Sequence, residues 1–277
     1  MADLTTIILT YNEEKNIEAC IESVKSISKR IIVLDSYSTD KTIEIAKSLG
    51  AEIYSRRFVS QANQFRYALD NFQITTKWVM KFDADERLTT ESSNEIEDIC
   101  NNNMETDING IVLRFEVNFL GKKLRHGGIY PFRKLVVFKN GLGKIENKKM
   151  DEHIVIKEGK SVEAKLDSLH EDYKDLTTWI DKHNKYSSRE VLDYSEQQIT
   201  NSDSELLDNK AKMKRFLKYK LYYKLPMGLR ARLYYYYRYY LLLGFLDGKE
   251  GQIFAFLQAY WYRYLVDAKI FEKNKLK

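Results

Sequence analysis

Cysteine is too scarce here to build anything with: the 277 residues contain only Cys20 and Cys100. Two thiols without metal-ligand spacing exclude a disulfide framework and a zinc cluster, and they point to a reducing compartment. Proline is equally rare. Pro131 and Pro226 are the two that occur, so no proline-rich linker or hinge marks a boundary. Long apolar runs are missing as well. Uncharged stretches such as Gly251–Tyr262 fall short of the roughly 18–20 residues a bilayer span requires. The N-terminal residues carry no basic region followed by an apolar core and a cleavage site, so the expectation is a cytoplasmic protein. Finally, one sign of charge is absent from one segment. Between Lys210 and Tyr240 there are ten Lys or Arg and no Asp or Glu, although the whole chain is only +5.

What is present reads as strands alternating with helices. Leu4–Leu9 and Arg30–Leu34 are β-branched apolar runs, as in buried parallel strands. Ala51–Tyr54 and Trp78–Phe82 continue the series, with Gly110–Phe115 and Leu135–Phe138 as later strands. Between them, Ile17, Cys20, Ile21 and Val24 recur at helical spacing, as do Ile43, Ala46 and Leu49, closed by Gly50. Gln61–Asn71 is a third helix, and Ser92 with Glu95 is spaced as a capping box for a fourth. This βαβα order specifies a mostly parallel, doubly wound α/β sheet, whose ligands sit at the carboxyl ends of the strands.

Three polar clusters fall at such ends: Thr10–Glu13, Asp35–Asp40 and Asp83–Glu86. In an extended chain Asp83 and Asp85 share a side, because side chains alternate with period two. Two carboxylates so placed repel unless a cation joins them, so an Asp-x-Asp there is a candidate seat for a hard divalent ion. A solvated acidic loop is the plainer reading of that pair alone. Three clusters at equivalent positions mark a cleft.

Taken in order, Ile8-Leu9-Thr10-Tyr11-Asn12-Glu13-Glu14, then Val33-Leu34-Asp35-Ser36-Tyr37-Ser38-Thr39-Asp40, then Asp83-Ala84-Asp85-Glu86 resemble the successive motifs of family 2 glycosyltransferases. Later stretches, His126-Gly127-Gly128, Met150-Asp151-Glu152-His153 and Asp247-Gly248-Lys249-Glu250-Gly251, resemble the branch that includes lipopolysaccharide-core glucosyltransferases. The resemblance implies a GT-A fold over residues 1–203 and an inverting, nucleotide-sugar-dependent transfer, with a UDP-hexose as donor and a cell-envelope or lipid-linked glycan as acceptor. It places Thr10, Tyr11, Glu13, Asp35, Arg66, Asp83 and Ala84 at the nucleotide-sugar, Tyr11 by stacking and Asp35 by accepting from the base. It makes Asp85 and His170 ligands of Mn²⁺ or Mg²⁺. Tyr37 departs from the pattern, since the family often has Gly there.

The chemistry also needs a carboxylate to take the acceptor's proton. The resemblance puts it in Asp151-Glu152-His153, with Glu152 first and Asp151 second. His126 and His153 read as structural or acceptor-loop residues.

Residues Leu176–Tyr194 are spaced as a helix with Trp179, Ile180, His183 and Val191 on one face. Residues 204–277 form a basic, aromatic-rich helical region. Basic residues with tyrosines suit an anionic membrane surface, and no RNA-binding fingerprint points to nucleic acid. A basic hairpin packed on the enzyme is the bland alternative. The competing functional classes are a non-catalytic nucleic-acid or lipid-binding protein on the same fold, and a metal-dependent nucleotidyltransferase, which releases pyrophosphate instead of a nucleoside diphosphate.

Overall fold

The structure is a computed structural model that describes residues 1–146, 152–197, 213, 216–217 and 220–276. The chain divides into two compact units: Met1–Asn118 with Pro131–Lys148 and Glu152–Lys174, and Phe119–Tyr130 with Lys149–Asp151 and Asp175–Lys277. The boundary expected at residue 203 lies outside the described residues. Helix α5 (Leu176–Gln197), expected within the catalytic part, groups with the second unit.

In the first unit the parallel strands β1 (Ala2–Thr10), β2 (Ser28–Asp35), β3 (Glu52–Ser55) and β4 (Trp78–Asp83) form one half of the sheet. Strand β8 (Phe132–Lys139) runs antiparallel between β4 and β6 (Ile108–Phe119). Beyond them lie β11 (Lys160–Glu171), parallel to β6, and the two-residue β5 (Glu86–Arg87), antiparallel to β11. The order is β3-β2-β1-β4-β8-β6-β11-β5, a mixed α/β sheet of GT-A type that is mostly parallel. A two-stranded ribbon pairs β9 (Gly143–Ile145) with β10 (Ile154–Ile156).

Strand alternation splits the core in two. Ile8, Val33, Met80 and Phe82 meet Ile17, Cys20, Ile21 and Val24 of α1 (Ile17–Lys25) and Ile96 of α4 (Thr90–Asn102). Ile7, Ile32 and Val79 meet Ala62, Phe65 and Ala68 of α3 (Gln61–Asn71) on the opposite face. Helix α2 (Thr42–Ser48) buries Thr42 and Ala46, and Gly50 follows it with φ 88°. Both sheet faces are therefore covered, which leaves the strand ends as the place for chemistry.

Two local expectations fail for identifiable reasons. The capping box of α4 is Thr89 with Ser92, one turn earlier than Ser92 with Glu95: each side chain accepts from the other's backbone N–H. Glu95 instead accepts from the N–H groups of Lys165 and Leu166, both at 2.8 Å, and so ties α4 to β11. Nor does the extended geometry continue through Asp85. Residues 84 and 85 form a turn, because the Glu86 carboxylate folds back to accept from the Asp83 N–H at 3.0 Å. Period-two alternation therefore does not relate Asp83 to Asp85.

The second unit is helical apart from the short strand β7 (Lys122–Leu124). In it α5 packs on α8 (Tyr262–Lys275) through Val191, Tyr262, Val266 and Ile270. His183 stacks on Trp179 at 3.5 Å, and Trp179 meets Phe119 at 5.9 Å, so the expected face of α5 is the packed one. Helices α6 (Leu229–Tyr236) and α7 (Gly248–Phe254) each run on into a π-helical turn, Tyr237–Leu241 and Ala255–Trp261. The Asp247-to-Gly251 motif is structural. A Cβ at Gly251 would stand 2.5 Å from that of Asp247, whose carboxylate accepts from the N–H groups of Arg125 and His126 and pairs with the His126 ring at 2.7 Å.

Two of the ten basic residues are likewise internal. Arg230 is buried against Asp267 and the carbonyl of Tyr223, and Arg238 against the Gly127 carbonyl at 2.6 Å. Neither is available to a membrane. Lys214, Arg215 and Lys218 lie outside the described residues.

Candidate active site

Register brings the three polar clusters together. Thr10 pairs with Asp35 across β1 and β2, and Leu9 with Asp83 across β1 and β4, so all three clusters leave neighbouring parallel strands at one edge. Asp35 is fully buried. Its carboxylate accepts from the Thr10 hydroxyl at 2.9 Å, the Ser38 N–H at 2.7 Å and the Ser38 hydroxyl at 2.5 Å. Asp35 thus fixes the loop after β2. Asn12 locks the facing loop, donating its N–H to Ser38 and accepting from the Thr39 N–H, both at 2.8 Å. On this scaffold the Tyr11 ring stands 53% exposed, open to stacking rather than packed on α1. Arg66, on α3, is half-buried and makes no hydrogen bond or ion pair with described residues. The Ala84 side chain lies in the apolar core, which leaves only its backbone for a ligand.

Tyr37 has φ 63°, the left-handed region that favours glycine. That explains why a Gly suits this turn. Tyr37→Gly should leave stability unchanged or raise it by up to about 1 kcal/mol, whereas Tyr37→Val should cost about 1–2 kcal/mol. Thermal melts of the two variants check this, and a Gly variant less stable than the Val variant would contradict it.

Around Asp83 sits a cluster of charges that sequence reading missed. Lys81 Nζ reaches one Asp83 oxygen at 2.7 Å, and Lys134 Nζ, from β8, reaches the other at 2.6 Å and Glu86 at 2.8 Å. Burial alone would raise the Asp83 carboxyl, but the two ammonium groups outweigh it and hold it well below the usual carboxylate range. Burial pushes Glu86 up, with Asp83 adding to the effect. Lys134, despite burial, is held above its ordinary value by the two carboxylates. Asp83, with an ammonium group on each oxygen, is neutralised from within the protein.

Lys134→Met should therefore cost roughly 3 kcal/mol, because it leaves two neighbouring acids short of their counterion. The sign with pH follows from Asp83. A depressed carboxyl contributes stability that is present above the ordinary Asp range and lost as pH falls through and below it. Denaturant unfolding should show the gap between wild type and variant widest near neutrality and narrowing on acidification. A gap that grows in acid would contradict the assignment.

Two further acids are pushed up by burial. Glu152 is half-buried and pushed up by burial, and it senses the charges of Lys81, Asp83 and Lys134. Asp151, its expected alternative, lies outside the described residues. Glu13 is raised by burial and then by Asp85, against the pull of Lys174, whose ammonium lies 2.6 Å from its carboxylate. Asn16, fully buried, donates to Glu13 and to Asp172, each at 2.8 Å, and accepts from Arg87 and the Tyr173 N–H. Arg87 lies over the Tyr173 ring at 4.0 Å. That network ties the loop after β1 to β5 and to the end of β11. The backbone brings Asp85 beside the end of β11: the Asp85 carbonyl accepts from the Glu171 N–H at 2.8 Å, while His170 pairs with Glu86 across β5 and β11.

Among the described residues no three His, Cys, Asp or Glu side chains gather to hold an ion. Asp85 and His170 offer one carboxylate and one imidazole, a donor set that fits Mn²⁺ when substrate oxygens complete the shell. His153 and His126 are engaged elsewhere, His153 with Glu146 at 3.2 Å and His126 with Asp247.

The sheet order is that of a GT-A fold, with an internally neutralised acid cluster at the carboxyl edge of its parallel strands. Residues 5–150, more than half of the chain, match the glycosyl transferase family 2 model, and the chain belongs to that family. It is 40% identical over 97 residues to an uncharacterized glycosyltransferase of Rickettsia typhi, a match covering 35% of this chain and 32% of that protein. The match thus spans about a third of the rickettsial relative's length. Over 99% of the chain it is 27% identical to the lipopolysaccharide core biosynthesis glycosyltransferase LpsC of Rhizobium meliloti, covering 94% of that protein. The fold is shared with the mannosyltransferase PcManGT from Pyrobaculum calidifontis, solved with GDP-Man and Mn²⁺. The TM-score is 0.58 at 13% identity, over 98% of this chain and 87% of that one.

Proposed function

We propose that this glycosyltransferase moves a hexose from a nucleotide-sugar, a UDP-hexose first, to a hydroxyl of a cell-envelope or lipid-linked glycan, with inversion at the anomeric carbon. The observation that carries the reading is the register that brings Thr10, Asp35 and Asp83 to one edge where β1, β2 and β4 end, with Lys81 and Lys134 on the Asp83 carboxylate. The loops after β1 and β2 would take the nucleoside, with Tyr11 on the base and the buried Asp35 shaping the turn that receives it. Arg66 would meet the diphosphate. Asp85 and His170 would hold Mn²⁺ or Mg²⁺, which when bound neutralises charge on the departing diphosphate. Glu152 would take the proton of the acceptor hydroxyl, a role that its raised pKa suits.

The envelope acceptor is supported by the likeness to the lipopolysaccharide core enzyme, and the metal by the Mn²⁺ in the mannosyltransferase complex. No helix among the described residues is long and apolar enough to cross a membrane. A place on the inner face of the plasma membrane is part of the proposal. The test is a panel of UDP- and GDP-sugars with Mn²⁺ and with chelator, scored for the leaving group. Metal-dependent release of a nucleoside diphosphate is expected; pyrophosphate release, or no turnover of any donor, would sink the reading.

A further inference from the structure

The two π-helical turns of the second unit display aromatic rings for which the transfer reaction has no use. Tyr236 meets Tyr240 at 5.0 Å, Tyr240 meets Tyr239 at 5.0 Å, and Tyr239 meets Phe245 at 6.2 Å. Tyr239 also stacks on Tyr235 at 5.4 Å, and Tyr235 reaches Tyr260, which contacts Phe256 at 5.6 Å and Tyr264 at 6.0 Å. The result is one connected run of rings drawn from two helical segments. It is not buried: Phe245 is 43% exposed, Tyr236 54%, and the neighbouring Leu241 62%. A π turn adds a residue to the helical repeat and so re-aims the side chains it carries.

A contiguous apolar patch on a surface marks a docking site. Its composition selects the partner. Tyrosine has an apolar ring and a wet hydroxyl, the combination that settles at the headgroup level of a bilayer. The charge agrees. From Lys210 to Leu246 the sequence has no Asp or Glu. Lys220, Lys224 and Arg232 are exposed, whereas Asp247 and Asp267 are buried and engaged. A second copy docked face to face through this patch would set the same cations against themselves.

We propose that the ring run from Tyr236 to Tyr264, centred on Tyr236, Tyr240 and Phe245, is the surface by which this protein sits on an anionic lipid bilayer. The rings enter the headgroup layer, and Arg232 and Lys224 pair with lipid phosphates. This deepens the proposed function by giving a lipid-linked acceptor its meeting place, and rests on that function only for this purpose.

The test is flotation of the full chain with vesicles of phosphatidylcholine containing about a third phosphatidylglycerol, against pure phosphatidylcholine. Wild type should float with the anionic vesicles and less so in high salt. Tyr236→Ser, Tyr240→Ser and Phe245→Ser combined should lower partitioning by about tenfold or more, since they remove the inserting area. A nitroxide on Leu241→Cys gives a readout independent of that variant's folding, because native Cys20 and Cys100 are buried. On vesicles the label should become accessible to oxygen and shielded from an aqueous nickel complex. Equal flotation of the triple variant, a label that stays in water, or a dimer dissolved by the same substitutions without flotation would overturn the proposal. Nucleoside diphosphate release measured without vesicles is the separate readout for the function above.

Discussion

Asp85→Ala should reduce nucleoside diphosphate release by on the order of 10³-fold or more, because a metal's stabilisation of the leaving charge is worth several kcal/mol. The fold should survive the change. What Asp85 contributes to the ladder is its carbonyl, which accepts from the Glu171 N–H, and alanine keeps that bond. Asp83, by contrast, is matched by two ammonium groups and brings no uncompensated charge to an ion. On the proposed reading Asp83 holds the site together through its two ammonium partners, and Asp85 would meet the metal. Kinetics with a Mn²⁺ titration, beside a far-ultraviolet dichroism spectrum, is the check. A folded Asp85→Ala enzyme with wild-type turnover, or wild-type activity in excess chelator, would remove the metal from the account.

Glu152→Gln should lower the transfer rate by on the order of 10²-fold or more, with donor binding nearly unchanged. Glutamine keeps the shape and loses the basic oxygen. The pH profile carries the sign. Burial raises the Glu152 carboxyl above its ordinary range, and the base must be ionised to act. Activity should therefore climb with pH along a limb that lies above the usual glutamate value, and the variant should lose that limb. If Asp151→Asn has the larger effect with donor binding intact, the roles within the pair are reversed.

Much of this site was legible in the sequence because its acids follow apolar strands. Runs such as Ile7-Ile8-Leu9 and Val33-Leu34 locate β1 and β2, and the polar residues after them are placed by parallel register without further information. What stayed hidden depends on partners distant along the chain. Lys134 is an ordinary basic residue at the start of an apolar run until β8 pairs with β4, 51 residues from Asp83 in sequence. A lysine flanking a strand that must neighbour an acidic strand end was the available signal. Strand β11 was not seen because its apolar positions are few, with Ala164 the one apolar side chain it buries. Asn16 carried no signal in the sequence, yet it joins the loop after β1 to β5 and to the end of β11. In the basic region composition alone pointed at charge. The structure moves the emphasis to rings, since Arg230 and Arg238 are spent inside the unit.

The central claim is that the edge formed by β1, β2 and β4 binds a nucleoside diphosphate together with a divalent ion. Calorimetric titration of UDP and GDP into the protein, with and without Mn²⁺, tests it most directly. Binding of at least one of the two that requires Mn²⁺ and disappears in Asp85→Ala is the predicted result. Metal-independent binding unaffected by Asp85→Ala, or no binding of either nucleotide, would contradict it.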